Sequence, residues 1–264
     1  MLGGRWKMRT ASLLVGVLLV LAAPASAGVM DVLVVMGSFS GTTPGDSRDV
    51  PYITHLGHLG CTVTLWNASN DPAPALSGIE LVLISDSVSS STPTWARYGT
   101  IPQGLICIEG NAWDLLEMTH PGEAKDTNPT DTLVTITSFG ASHPLGAGLP
   151  VGNATVLPGI QQMVEVVMDA GHFQPGFSKF VATNAAGDSA RIFVYDKGDV
   201  LADGVSIAQG IRIGFGLTRY CTGTLNDTGW DLFDHAVMYA IPEPATLALL
   251  GLGALGLAIR RKRG

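Results

Sequence analysis

Cysteine and charge are both scarce in this chain. Three cysteines in 264 residues, Cys61, Cys107 and Cys221, are too few and odd in number for a disulfide scaffold. Cys107 sits in the apolar run LICI, where a thiol behaves as a small buried hydrophobe. Cys61 and Cys221 could pair in an oxidising compartment, but spacing alone cannot bring their Cα atoms together. No spaced pattern of cysteines and histidines suits a metal, and no cofactor is expected. Charged residues make up 14% of the chain, and cations are the scarcer sign. Residues 28–241 carry 8 Lys plus Arg against 21 Asp plus Glu, so the chain's net −7 hides a body at −13. Such a body is repelled by phosphate backbones, which excludes nucleic-acid binding. There is no internal repeat and no long linker, and 214 residues fit one large domain better than two small ones.

What is present is most distinctive at the two ends. Arg5, Lys7 and Arg9 precede the apolar run 11–23, and Pro24-Ala25-Ser26-Ala27 supplies small residues at the −3 and −1 subsites of a signal peptidase. The run falls short of the ~20 residues that cross a bilayer. Residues 1–27 are therefore expected to be an export signal, cleaved after Ala27 with Ala25 at −3. The other end reads IPEPATLALLGLGALGLAIRRKRG. Its apolar run 245–259 would span about 22 Å as a helix, against a hydrocarbon core of roughly 30 Å. The basic cluster Arg260-Arg261-Lys262-Arg263 would stay cytoplasmic.

Between the ends, apolar runs of strand length alternate with amphipathic stretches. The run 30–37 (MDVLVVMG) suits a strand covered on both faces. Val50, Ile53, Leu56 and Leu59 then recur at helical spacing, with Pro51 near the start and Gly60 as a stop. The runs CTVTLWN, IELVLIS and GLICIEG follow, the last leading into a short helix candidate, NAWDLLEM. This alternation predicts a parallel sheet with helices on its faces. The second half is richer in strands (TLVTIT, ATVL, MVEVVMDA, KFVATNA, ARIFVYDKGD, GIRIGFGL). It closes on the helix GWDLFDHAVMYA, with Trp230, Phe233, Val237 and Ala240 on one stripe and Thr228 as the expected N-cap.

In their order, VLVVMG, ELVLIS, SHPLGAGL, ARIFVYDKGD, GIRIGFGL and GWDLFDHAVMYA resemble the class I glutamine amidotransferase-like superfamily, in the branch with trehalose-utilisation-type domains. The resemblance spans roughly residues 30–240. It implies a three-layer, flavodoxin-like α/β domain over 28–241 with a β-rich C-terminal extension. It also implies a cysteine on the turn after the fourth strand, activated by a downstream histidine. Here that stretch is LICIEGNAW: Cys107 lies two residues early inside the strand, and Glu109 occupies the turn. The downstream histidines, His120, His143, His172 and His235, form no His-x-Glu pair. Amidotransferase chemistry is rejected, and no catalytic residue is assigned.

Ligands of open α/β sheets bind beyond the carboxyl ends of the strands. The loops GSFSGTT, SDSVSSS and EGNAW fall there, and Ser38, Ser40, Asp86, Glu109 and His143 form the candidate ligand pocket. Glu109 either acts as a general acid or base, its pKa raised by Asp86, or caps the following helix, the preferred reading. His143, before Pro144, reads as a structural loop residue. Ser38 to Thr43 resembles the hydroxyl-rich phosphate cradle of flavodoxins, but Pro44-Gly45 delays the helix and export separates the protein from cytoplasmic flavin. His55 and His58 read as a solvated helix face, and Trp113 and Trp230 as core anchors. The Asn-x-Ser/Thr sequons at Asn67, Asn153 and Asn226 carry meaning only in a glycosylating host.

Pro242-Glu243-Pro244, a transmembrane-like run and terminal arginines resemble the PEP-CTERM sorting signal, over residues 242–264. The resemblance implies transient insertion in the inner membrane, processing by an exosortase, and delivery to the cell surface or an extracellular polysaccharide matrix. The plain alternative is a single-pass anchor. Two functions follow for the body: a non-catalytic binding or structural module, or an exported hydrolase acting on carbohydrate or another small substrate through the Glu109 region.

Overall fold

The computed structural model describes residues 30–241, except 42, 93, 121–129 and 218–224. One large sheet organises the chain. Its principal strands are β1 (Asp31–Met36), β2 (Thr62–Asn67), β3 (Leu81–Ile84), β4 (Gly104–Cys107), β5 (Leu133–Ile136), β6 (Gly152–Thr155), β7 (Phe180–Thr183), β8 (Ser189–Tyr195) and β9 (Arg212–Phe215). They lie in the order β2-β1-β3-β4-β9-β8-β7-β5-β6, and the two-residue strand Val166–Val167 also pairs with β8. From β2 to β9 every pairing is parallel; from β9 to β6 every pairing is antiparallel. The expected β-rich extension thus prolongs the parallel sheet rather than forming a second one.

The continuous apolar runs have a simple cause. Val32, Val34 and Met36 point into one core and Leu33 and Val35 into the other, so β1 is buried on both faces. The first core lies under α1 (Val50–His58), α3 (Ser138–Ser142) and α4 (Asp227–Ala240); the second lies under α2 (Trp95–Gly99), Trp113, Leu116 and Met118. These are the three layers.

Several local expectations are corrected. In α1, Val50 is exposed, and Tyr52 with Leu56 forms the buried face. Pro51 within the first turn sets the start of the helix, and Tyr52 turns inward against Trp230 and Phe233 of α4. His55 is not solvated: its ring stacks on Trp230 at 4.0 Å, and its Nε2 lies 2.6 Å from Asp234 Oδ1. His58 is exposed, as expected. Stretch 111–118 is no α-helix but a short 3₁₀ turn (Gly110–Ala112) followed by turns. Trp113, Leu116 and Met118 are all buried, and 116 and 118 fall on nearly opposite sides of a helix, so regular winding would expose one of them. The N-cap of α4 is Asn226, not Thr228: Asn226 Oδ1 accepts the Gly229 N–H at 3.0 Å, and its Nδ2 donates to Thr155 O at 3.0 Å. Thr228 lies inside the helix.

Candidate functional site

The carboxyl edge of the parallel half carries a polar cleft of about 330 Å³, lined by Gly37, Ser38, Gly45, Asp46, Ala68, Ser69, Ser87, Ser89 and Thr92. It is built from the loops after β1, β2 and β3. Ser38 O accepts the Gly45 N–H at 2.9 Å, and the Gly37 N–H donates to Ser87 Oγ at 3.1 Å. Asn67 Nδ2 donates to Gly37 O at 3.1 Å, closing the β1 loop onto β2.

Asp46 is the charged group in the lining. Arg48 donates to its Oδ2 from Nε at 2.9 Å and from Nη2 at 2.6 Å. That hydrogen-bonded guanidinium holds the Asp46 carboxyl below the usual range. Arg48 Nη1 also donates to Asp86 O at 3.2 Å, tying the α1 approach to the loop after β3. Behind this layer Asp49 is almost wholly buried and accepts the Ser85 hydroxyl. Burial pushes the Asp49 carboxyl up, against the opposing hydrogen bonds of Ser85 and Ser87. The cleft is thus an array of hydroxyls around one fixed anion, backed by a buried carboxyl group.

The five candidate residues do not converge. Ser38 lines the cleft. Ser40 is exposed on the small ladder Phe39–Ser40 with Thr43–Pro44, beside the lining rather than in it. Asp86 is buried next to Ser85, whose hydroxyl lies 3.5 Å from Asp86 Oδ1. Glu109 stands on the neighbouring turn and is not part of the lining. Its side chain accepts the Asn111 N–H at 3.1 Å, the capping role preferred from sequence, here over a 3₁₀ turn.

His143 lies at the opposite edge. Its Nδ1 accepts the Leu145 N–H at 3.2 Å, and its ring packs on Phe139 and Tyr239. Tyr239 Oη donates to Asp196 Oδ1 at 2.5 Å. Asp196 follows Tyr195, which pairs with Arg212, itself paired with Leu105 at the start of β4. His143 therefore sits near the amino ends of the parallel strands, a sheet's length from Asp86 and Glu109.

Sequence reasoning missed what covers the β4 turn. The strand-like stretch MVEVVMDA crosses the carboxyl ends of β4 and β9. The Val164 N–H donates to Gly216 O at 2.8 Å, and a Cβ on Gly110 would collide with Val164 Cγ1. A buried ion trio holds this strap: Arg191, 1% exposed, bonds Glu165 Oε2 through Nε at 3.0 Å and Asp131 Oδ2 through Nη1 at 3.0 Å. Beneath lies Cys107, fully buried at the end of β4, its Sγ donating to Glu109 O at 3.3 Å. Burial, with the nearby Glu109 charge, pushes its thiol well above the ordinary range. A thiol so placed is neutral at physiological pH and a poor nucleophile. The only hint in the sequence was one apolar run interrupted by Glu165.

Among the described residues, no group of three or more His, Cys, Asp or Glu side chains is placed to hold a metal. No described helix is long and apolar enough to cross a membrane; run 245–259, the sorting motif at 242–244 and the basic cluster lie outside the described residues, as do Ala25, Ala27 and Cys221.

The architecture is that of a three-layer, flavodoxin-like α/β protein. It is similar to the crystal structure of a protein described as part of a GMP synthase from Thermoplasma acidophilum, with 14% identity and a TM-score of 0.53 over 80% of this chain and 94% of that one. A ThuA-like protein from Bacteroides uniformis overlaps with 11% identity and a TM-score of 0.46, covering 82% of this chain and 93% of its own. No curated protein matches the chain in sequence. Residues 240–263 match the PEP-CTERM protein-sorting motif. That motif marks an exported protein, processed by an exosortase in transit through the membrane.

Proposed function

We propose that this is a cell-surface or extracellular-matrix protein whose amidotransferase-like body is a non-catalytic binding module. Signal peptidase removes residues 1–27, the body 28–241 crosses the inner membrane, and an exosortase processes the tail 242–264. The observation that carries the non-catalytic reading is the roofed β4 turn. Cys107 is sealed inside the strand, Glu109 is committed to a cap, and Val164 fills the space above Gly110.

The cleft after β1 and β3 is the binding site in this reading. Hydroxyls of Ser38, Ser69, Ser87, Ser89 and Thr92 both donate and accept. Asp46 accepts from paired hydroxyls, and its charge, with that of the acidic body, disfavours anionic ligands. These features suit a neutral polyhydroxylated ligand such as a segment of extracellular polysaccharide.

Two measurements test this. The full chain is incubated with a panel of glycosides, esters and amides; turnover that Glu109→Gln abolishes would sink the non-catalytic reading and establish the hydrolase. Calorimetric titration with neutral oligosaccharides should show binding that Asp46→Ala weakens by about tenfold, the loss of one charge-assisted hydrogen bond. Equal affinity in the variant removes the cleft from the proposal.

A further inference from the structure

The amino-terminal edge of the sheet, where Ile241 leads into the sorting motif, carries an exposed apolar hairpin. Residues 199–208 connect β8 to β9 and fold back through the bridge Val200↔Ile207. Leu201, Ala202 and Ala208 are buried and hold the hairpin to the body, whereas Val205 is 82% exposed, Val200 47% and Ile207 43%. Three aliphatic side chains on one solvent-facing tip have no role in either core.

Hydrogen bonds also brace the tip. Asp203 Oδ1 accepts the N–H groups of Val205 at 3.0 Å and Ser206 at 2.9 Å, and its Oδ2 accepts the Ser206 hydroxyl at 2.7 Å. Leu201 N donates to Ser206 O at 2.8 Å, and Gly204 N to Leu201 O at 3.1 Å. A tip whose polar backbone is already paired can enter a headgroup layer without leaving amides unsatisfied. Lys197, at the base of the hairpin, is exposed, and a lysine there can keep its charge in the headgroup layer.

The hairpin and the end of α4 are joined at one point. Tyr239, two residues before Ile241, donates to Asp196 at the hairpin base. Asp196 N donates to Asp199 Oδ2 at 2.7 Å, and Lys179 Nζ bridges Asp196 and Asp199 at 2.7 and 2.6 Å. From Ile241 to the start of the apolar run at residue 245 the chain can reach only about 14 Å. While that run is in the bilayer, Ile241 stays within about 14 Å of it.

We infer that the tip Val200–Val205–Ile207 is a membrane-surface contact, seating the body on the outer face of a phospholipid bilayer during sorting. In that pose the amino edge faces the lipid and the polar cleft, at the carboxyl edge, faces away. The inference rests on insertion of the tail, and not on what the cleft binds.

The test is photolabelling of the full chain in vesicles of phosphatidylethanolamine and phosphatidylglycerol doped with a diazirine-bearing phospholipid, with adducts mapped by mass spectrometry. The tail peptide and the peptide containing Val200 to Ile207 should both carry lipid. The peptide containing Ile160, which is 74% exposed but beyond β6 at the opposite edge, should not. The pair Val205→Asp and Ile207→Asp should lower the hairpin adduct by about tenfold and leave the tail adduct unchanged. Adducts on the tail alone overturn the inference while sparing the sorting reading. Adducts on neither overturn both. Cross-links between hairpins of two chains without lipid adducts also overturn it, because the tip then meets a second copy.

Discussion

Val164 sits on Gly110 so closely that the glycine has no room for a side chain. The contact closes the space above the turn after β4. Gly110→Ala should therefore overpack the joint between strap and β4 turn, costing about 1–3 kcal/mol. Urea unfolding followed by tryptophan fluorescence measures it. A variant as stable as the parent would mean that the strap is not seated on the turn.

Arg191 keeps that strap in place. Its guanidinium is buried between Glu165 and Asp131, and it also donates to Leu133 O. Arg191→Met removes the cation and strands the 9%-exposed Glu165 carboxylate, so a loss of about 3–5 kcal/mol is expected. Glu165→Gln with Arg191→Met should recover part of it, because the buried anion is then gone and the one left, Asp131, is 25% exposed. A double variant no more stable than the single one would contradict this account.

Asp49 predicts a pH dependence. Burial raises its carboxyl above the ordinary value of 3.8, so the folded state holds this proton more tightly than the unfolded chain does. Stability from this group is then greatest at low pH and is lost as pH rises from the unfolded value through the raised folded one. Asp49→Asn keeps an acceptor for Ser85 and cannot ionise. The variant should lack that loss and match or exceed the parent in melting temperature at pH 7. A variant whose pH profile runs parallel to the parent's from pH 4 to 7 would count against it.

The start of α4 separates two neighbouring polar residues. Asn226→Ala removes the cap to Gly229 and the bond to Thr155, and about 0.5–2 kcal/mol of stability should go with them. Thr228→Ala, inside the first turn, should change stability by no more than about 0.5 kcal/mol. Thermal denaturation of the two variants compares them directly; equal losses would return the cap to Thr228.

Much of this was legible in one dimension. MDVLVVMG could hardly be anything but a doubly covered strand, because its alternate residues serve two cores. The stripe Phe233, Val237 and Ala240 packs as its spacing predicts. Glu109 on the turn after β4, and Cys107 inside the strand before it, were visible as letters, and so was the sorting motif, because recognition of such a tail depends on local order alone. Val50, His55 and the N-cap of α4 were misread because periodicity gives a helix its faces but not its neighbours. His55 is half-buried only because Trp230, far away in sequence, lies beneath it.

The pocket was the larger misreading. Ser38, Asp86, Glu109 and His143 all belong to loops of an α/β sheet, but which edge a loop occupies depends on strand direction. The second half turns antiparallel at β8, which carries Asp196, and with it Tyr239 and His143, to the amino edge. Sequence by itself determined the sorting motif, the two-faced burial of the central parallel strands and the presence of Glu109, with Cys107 inside the strand, at the turn after β4. All are set by residue type and local order. Only the tertiary structure decided that a strap roofs the β4 turn, that the cleft belongs to the first three strand ends, and that an apolar hairpin shares its edge with the end of α4. Each depends on contacts between segments tens of residues apart, and no local pattern encodes such contacts.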